Sequence, residues 1–143
     1  MWSGDTSSTW ADFNQQFRAV LGMAFSGVPY WTTGIGGFSG GDTTDAGFCE
    51  LVVRWFQRGA FGPLFRLHGD RSGPHWPPGD AGACSATASN EVWSFGNESA
   101  AAIVKAMRMR ASSCGRTSVR ALAQYEEAAA SGTPIIRPLL FDF

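Results

Sequence analysis

What most constrains this chain is an alternation in its first half. Short β-branched and aromatic runs are each followed by an amphipathic helical stretch, and polar residues gather where the runs end. The first helical stretch covers about Trp10 to Met23, where Phe13, Phe17, Val20, Leu21 and Ala24 recur at threes and fours behind Ser8 or Thr9 as cap. Gly27 breaks it, and Val28 to Thr33 reads as a buried strand. The glycine-rich loop Gly34 to Gly41 leads to a second helix from about Asp45 to Arg58. Phe48, Leu51, Val52, Trp55 and Phe56 form its apolar stripe, and Glu50 and Arg54 can pair on the other face. After Gly59, Pro63 to His68 is the next strand candidate. By the same periodicity Trp10 and Trp55 both belong to the core.

Strand ends near Asp5, Gly34 and His68 are thus separated by single helices, the repeating unit of a parallel sheet with right-handed crossovers. Polar residues at strand C-termini mark the face on which the loops of a (β/α) barrel open. A whole barrel needs eight such units and roughly 250 residues, whereas this chain has 143 residues and room for about three units. The expected fold class is therefore α/β, a partial (β/α)8 TIM barrel. Beyond His68 a Gly/Pro/Ser/Ala loop from Gly69 to Asn90 carries Trp76. A helix then starts behind Asn97 and runs through Ile103, Val104 and Met107. Another covers Val119 to Ala130, stopped by Gly132 and Pro134. Residues 1–131 would form the barrel piece. Residues 132–143, with Ile135 to Phe143 read as a strand, would begin a C-terminal β-sandwich.

Composition excludes several classes. With 44% hydrophobic and 16% charged residues and net charge -1, the chain reads as one ordinary soluble domain without the cation cluster that nucleic acid or an anionic membrane requires. The cysteines Cys49, Cys84 and Cys114 fit neither a disulfide framework nor zinc spacing, so inert thiols, and no metal, are expected. Met1 to Asp5 has neither a basic nor an apolar leader region, and no stretch is long enough to span a bilayer. No compartment can be read.

Taken singly, the polar motifs are weak. Asp5, in Trp2-Ser3-Gly4-Asp5, has the setting of a helix cap or a solvated turn residue. Gly34-Ile35-Gly36-Gly37-Phe38-Ser39 invites a dinucleotide reading. It fails, because Ser39 replaces the third glycine and no acid stands near the ribose position. Taken together and in order, the runs Trp2-Ser3-Gly4-Asp5, Gly34-Ile35-Gly36-Gly37-Phe38, Glu50-Leu51 with Arg54-Trp55-Phe56-Gln57, Gly59-Ala60-Phe61-Gly62-Pro63 and Arg66-Leu67-His68-Gly69 resemble family 31 glycoside hydrolases, the α-glucosidases and α-xylosidases. Trp93-Ser94-Phe95-Gly96, Gly132-Thr133-Pro134 and Arg137-Pro138-Leu139 extend the resemblance over nearly the whole chain.

The resemblance implies the second half of the catalytic barrel of a retaining α-glycosidase that hydrolyses terminal α-linked glucose or xylose without metal or cofactor. Asp5 matches the family's acid/base, the carboxyl that protonates the leaving oxygen and then deprotonates water. Such a group must hold its proton near neutral pH, and Trp2 beside it would supply an apolar wall. Arg66 and His68 match residues that bind the sugar at the cleavage site. Trp31 and Phe38 fall near the aromatic walls, with core packing the equal alternative for Trp31.

This chain also departs from the family. Retention needs a second carboxylate about 5 to 5.5 Å from the acid, and the family's nucleophilic Asp belongs to a strand that would precede Met1. Asp42, Asp45 and Asp70 match no nucleophile motif. Gly34 stands where the family has an acid that holds sugar hydroxyls. The polar run Ser112 to Ser118 is expected to interrupt a helix where family members carry a Leu-Arg-Pro-Tyr-like segment. Codons for Glu-Leu-Arg-Pro-Tyr-Val, read one base later, give Ser-Cys-Gly-Arg-Thr-Ser, the residues Ser113 to Ser118, which points to a short frameshift or to ordinary divergence. The chain alone is expected to be inactive. The rival readings are a non-catalytic carbohydrate-binding pseudoenzyme, a piece that completes a barrel with another chain carrying the missing half, and, least favoured, a nucleotide-binding domain.

Overall fold

The computed structural model describes residues 1–69, 90–116 and 118–142, without the side chains of 113–121. The interior of the expected long loop, with Asp70, Trp76 and Cys84, lies outside the described residues, as do the side chains of Ser113 to Ser118. The named elements are α1 (Trp10–Phe25), α2 (Ala46–Gly59), α3 (Asn97–Arg116) and α4 (Ser118–Ser131), with 3-10 turns at Val92–Phe95 and Leu139–Phe141. Among the described residues no helix is long and apolar enough to cross a membrane.

α1 starts on a reciprocal cap. Thr9 Oγ1 accepts from the Asp12 N–H at 3.1 Å, while the Asp12 carboxylate accepts from the Ser7 N–H at 2.6 Å. Its buried residues are Phe13, Gln16, Val20 and Ala24. α2 is capped by Asp45, which accepts from the Phe48 N–H at 2.7 Å. It carries the centre of the core: Val52 and Trp55 are 0% exposed, and Leu51 and Phe56 are 2% exposed. Phe13 meets Trp55 at 5.2 Å between rings, and Phe95 meets Phe48 at 6.0 Å, so α1 and the Val92–Phe95 turn both close on α2. Ile103 of α3 completes the cluster. Each fully buried side chain of this size stabilises the fold by about 1.5–3 kcal/mol. The expected Glu50–Arg54 pair forms at 2.9 Å on the solvent side of α2.

Trp10 corrects an expectation. It is 43% exposed, against 0% for Trp55, and rests edge-on against Phe13 at 5.8 Å. The apolar stripe of α1 is wider than the surface it packs on, so Phe17 and Leu21, on the same side, also stay partly exposed.

Among the described residues, pairing between the segments that join the helices is limited to isolated parallel bridges, Trp2 with Thr32, Ser7 with Ser39 and Ile35 with Leu67. The expected strands at Val28 to Thr33 and Pro63 to His68 are therefore extended segments with single bridges rather than continuous ladders. Pro29 and Pro63 have no N–H to give a ladder. The bridges still set the register. Ile35 and Leu67 pack on the helix-side core, and successive side chains alternate, so Gly34, Arg66 and His68 share the opposite face with Thr32 and Trp2.

The third extended segment is held from below. Arg110 of α3 donates to the Ala60 and Gly62 carbonyls at 3.1 and 2.7 Å and lies over the Phe65 ring at 5.2 Å. The Tyr125 hydroxyl of α4 donates to the Pro63 carbonyl. Tyr125 also stacks on Tyr30 at 5.8 Å.

Two further expectations can be set against the structure. α3 stays helical through Ser112, Ser113, Cys114 and Gly115 to Arg116 and α4 begins at Ser118, so the break expected in the polar run falls at its C-terminal end. Leu139–Phe141, expected in a strand, is a 3-10 turn. Pro134 and Pro138 remove ladder donors there, and the Arg137–Asp142 ion pair at 2.8 Å closes the turn.

Candidate active site

The shared face brings several of the predicted residues together. The His68 ring lies 6.1 Å from Trp2, edge-on, and 5.3 Å from Phe38. Arg66 Nη2 stands 3.5 Å from His68 Nδ1.

Asp5 sits exposed in the bend that follows Gly4, whose φ is +79°, a left-handed value that glycine adopts without strain. The loop around it is sewn to the loop that carries Phe38. The Thr6 carbonyl accepts from the Phe38 N–H at 2.7 Å and from the Ser39 N–H at 3.2 Å, and the Ser8 N–H donates to the Ser39 carbonyl at 2.9 Å. Gly37 permits this approach. Its φ is +75°, and a Cβ there would stand 2.8 Å from both the Ser7 carbonyl oxygen and the Ser8 Cα. Thr6 was not singled out in the sequence, and Gly37 entered only as part of the Gly34 to Phe38 run, without this contact.

Trp31 is not in this cluster. It has the opposite parity to Thr32, the parity of Ile35, and borders a small cavity with Val20 of α1, Arg58 of α2 and Ile136. Arg58 there is 4.5 Å above the Phe17 ring, and its burial lowers the guanidinium pKa. Asp42 and Asp45 hold backbone. Asp42 accepts from the Thr44 hydroxyl and N–H at 2.7 and 2.8 Å, which lowers its carboxyl pKa, and Asp45 caps α2. Burial raises the Cys49 thiol, helped by the charges of Asp45 and Asp42. A cavity of about 910 Å³ between α1, α2 and the C-terminal segment is lined by Trp10, Phe17, Leu21, Phe61 and Ile136, and none of Asp5, Arg66 or His68 borders it.

At Gly34 a Cβ would meet the His68 carbonyl oxygen at 3.2 Å, His68 Cβ at 3.7 Å and Trp2 Nε1 at 4.0 Å. A side chain at this position would therefore start tight against the His68 carbonyl and near the Trp2 indole N–H. Glycine contributes neither a donor nor an acceptor from a side chain there.

Parallel bridges with helices between them and polar residues at their ends are what TIM-barrel domains present on their loop face. Residues 1–113 match the family described as Glycosyl hydrolases family 31 TIM-barrel domain. An α-xylosidase of Saccharolobus solfataricus is 34% identical over 142 residues, 99% of this chain and 17% of that protein. An uncharacterized family 31 glucosidase of Pseudescherichia vulneris is 50% identical over 70 residues, 49% of this chain and 13% of that protein. The crystal structure of a family 31 α-xylosidase from a soil metagenome, complexed with xylose, superposes with a TM-score of 0.83 at 39% identity, over 100% of this chain and 21% of its own. The chain belongs to glycoside hydrolase family 31. It spans between 13% and 21% of the length of these relatives.

Proposed function

We propose that this chain is the part of a retaining α-glycosidase barrel that carries the acid/base and the sugar-holding residues, in an enzyme that removes terminal α-linked glucose or xylose. The observation that carries the reading is the shared face. Trp2, Phe38 and Arg66 gather around His68, and the loop bearing Asp5 is fixed to the loop bearing Phe38. In this reading Asp5 gives its proton to the glycosidic oxygen as the leaving group departs, then takes one from the water that releases the sugar. Arg66 donates from its guanidinium to sugar hydroxyls and His68 hydrogen-bonds them through its ring nitrogens, holding the ring where a carboxylate nucleophile can attack its anomeric carbon. The 143 residues hold no match to the family's nucleophile motif, so that carboxylate comes from another part of the barrel. Residues 1–131 are the barrel piece in this proposal, and residues 132–143 lead out of it. Trp31 is left out, since it shares the parity of Ile35, which packs in the core.

The test is turnover of p-nitrophenyl α-glucoside and α-xyloside. The chain alone should hydrolyse neither faster than buffer, because an acid without a nucleophile forms no glycosyl-enzyme intermediate. Adding a polypeptide with the earlier barrel strands of a relative should give turnover that Asp5→Ala removes. Turnover by the chain alone that Asp5→Ala abolishes would overturn the division of labour, and a complemented barrel indifferent to Asp5→Ala would overturn the acid/base assignment.

A further inference from the structure

We infer that the cavity between α1, α2 and the C-terminal segment binds an aryl- or alkyl-monocarboxylate, with the carboxylate on Arg58 and the apolar part on Trp10, Phe17 and Leu21. The inference is independent of the glycosidase reading, because none of Asp5, Arg66 or His68 borders this cavity.

The walls all come from this chain. α1 gives Trp10, Phe17 and Leu21, α2 gives Arg58, and Ile135 and Ile136 belong to the C-terminal segment. At about 910 Å³ the space falls within the roughly 300–1,000 Å³ of small-molecule sites. Trp10, Phe17 and Leu21 lie on the apolar stripe of α1, yet each is between 39% and 43% exposed, so their surface is open to an apolar ligand. The aromatic series leads to a cation. Trp10 meets Phe13 at 5.8 Å, Phe13 meets Phe17 at 5.0 Å, and the Arg58 guanidinium carbon stands 4.5 Å above the Phe17 ring.

Charge selects the head of the ligand. Arg54, Arg58 and Arg137 line the cavity together with Asp142. Arg54 pairs with Glu50 at 2.9 Å and Arg137 with Asp142 at 2.8 Å. Arg58 is half-buried and has no carboxylate partner among the described residues. Its Nη2 donates to the Gln16 carbonyl at 3.3 Å, and burial lowers the guanidinium pKa. A partly desolvated cation without a counter-charge is costly, and a carboxylate offers two oxygens that match the guanidinium fork. A neutral ligand would leave the charge uncompensated, and an anion without an apolar part would leave the rings in water. A monocarboxylate with an attached ring or chain meets both demands.

The test is calorimetric binding of phenylbutyrate and of the neutral phenylbutanol to the 143-residue chain. The carboxylate should bind at least about tenfold tighter, the factor equivalent to 1.4 kcal/mol. Trp10→Ala, at a half-exposed side chain, should weaken both probes. Arg58→Met should remove the preference, and Arg58→Lys, which keeps the charge without the fork, should retain part of it. Thermal unfolding of each variant checks the fold, and if Arg58→Met does not fold, Arg58→Lys carries the comparison, with an undiminished preference counting against the carboxylate on Arg58. Equal binding of the alcohol, binding of neither probe, or a preference unchanged in Arg58→Met would overturn the inference. Loss of probe binding when the earlier barrel strands of a relative are added would overturn it too, because polypeptide would then be the occupant. So would an affinity that falls as the chain is concentrated, which would make a second copy the occupant.

Discussion

Gly37 shows how much can rest on the lack of one methyl group. Its left-handed φ costs a non-glycine residue about 1–3 kcal/mol, and its Cβ would also press on the backbone of Ser7 and Ser8. Gly40 has a similar φ of +81° but open space around its Cβ. Gly37→Ala should therefore lower stability more than Gly40→Ala, as read from urea midpoints, and the difference measures the contact alone. A Gly40→Ala variant as unstable as Gly37→Ala would show that backbone conformation is the whole effect. At Cys49 the thiol is pushed up by burial and by two nearby carboxylates, so less thiolate is present at any pH near neutral. Peptide mapping after brief alkylation at pH 7.5 should find Cys49 modified more slowly than a cysteine in the same protein denatured with urea. Equal rates would mean that the native fold does not protect it.

Among the elements, α2 was the most legible, because its capping Asp45, its apolar stripe and its Glu50–Arg54 pair are all local signals. The two helical tryptophans make that point measurable. Trp55→Ala should cost about 3–5 kcal/mol, as large core truncations do, whereas Trp10→Ala should cost no more than about 1 kcal/mol at its half-exposed position. Thermal unfolding of the pair separates them, and similar losses would contradict the packing described. The sequence alone could not assign these two roles, since periodicity finds an apolar stripe without showing how much of it a neighbour covers. Trp31 was illegible for a different reason. Alternation separates Trp31, Thr33 and Ile35 from Thr32 and Gly34, but only the Ile35–Leu67 bridge and the packing of that pair show which set faces the helices. The family motifs single out Asp5, Arg66 and His68 as residues to propose for the site, whereas the seam at Thr6 and Gly37 was not legible as a contact, because it is made of backbone. Arg110 was missed as well. One guanidinium gathers the carbonyls of Ala60 and Gly62, so Arg110→Met should loosen the segment leading to Arg66. Faster amide exchange at residues 64–68 would register it, and unchanged exchange there would show that the tether is dispensable.

For the molecule as a whole, the outer sides of the segments at Trp2 and Leu67 have no bridge partner among the described residues. Unpaired edges of this kind recruit other chains. Light scattering of the isolated chain should show concentration-dependent association, and a strict monomer across a hundredfold range of concentration, a span chosen as on the order of a typical dilution series, would count against open edges. The seam between the Asp5 loop and the Phe38 loop bears on any such assembly. Because the Thr6 carbonyl is shared by Phe38 and Ser39, the loops bearing Asp5 and Phe38 travel as one part. Under the proposed function, a partner that tilts the Phe38 loop would also re-aim Asp5, so the entrance would not widen without retiming the chemistry.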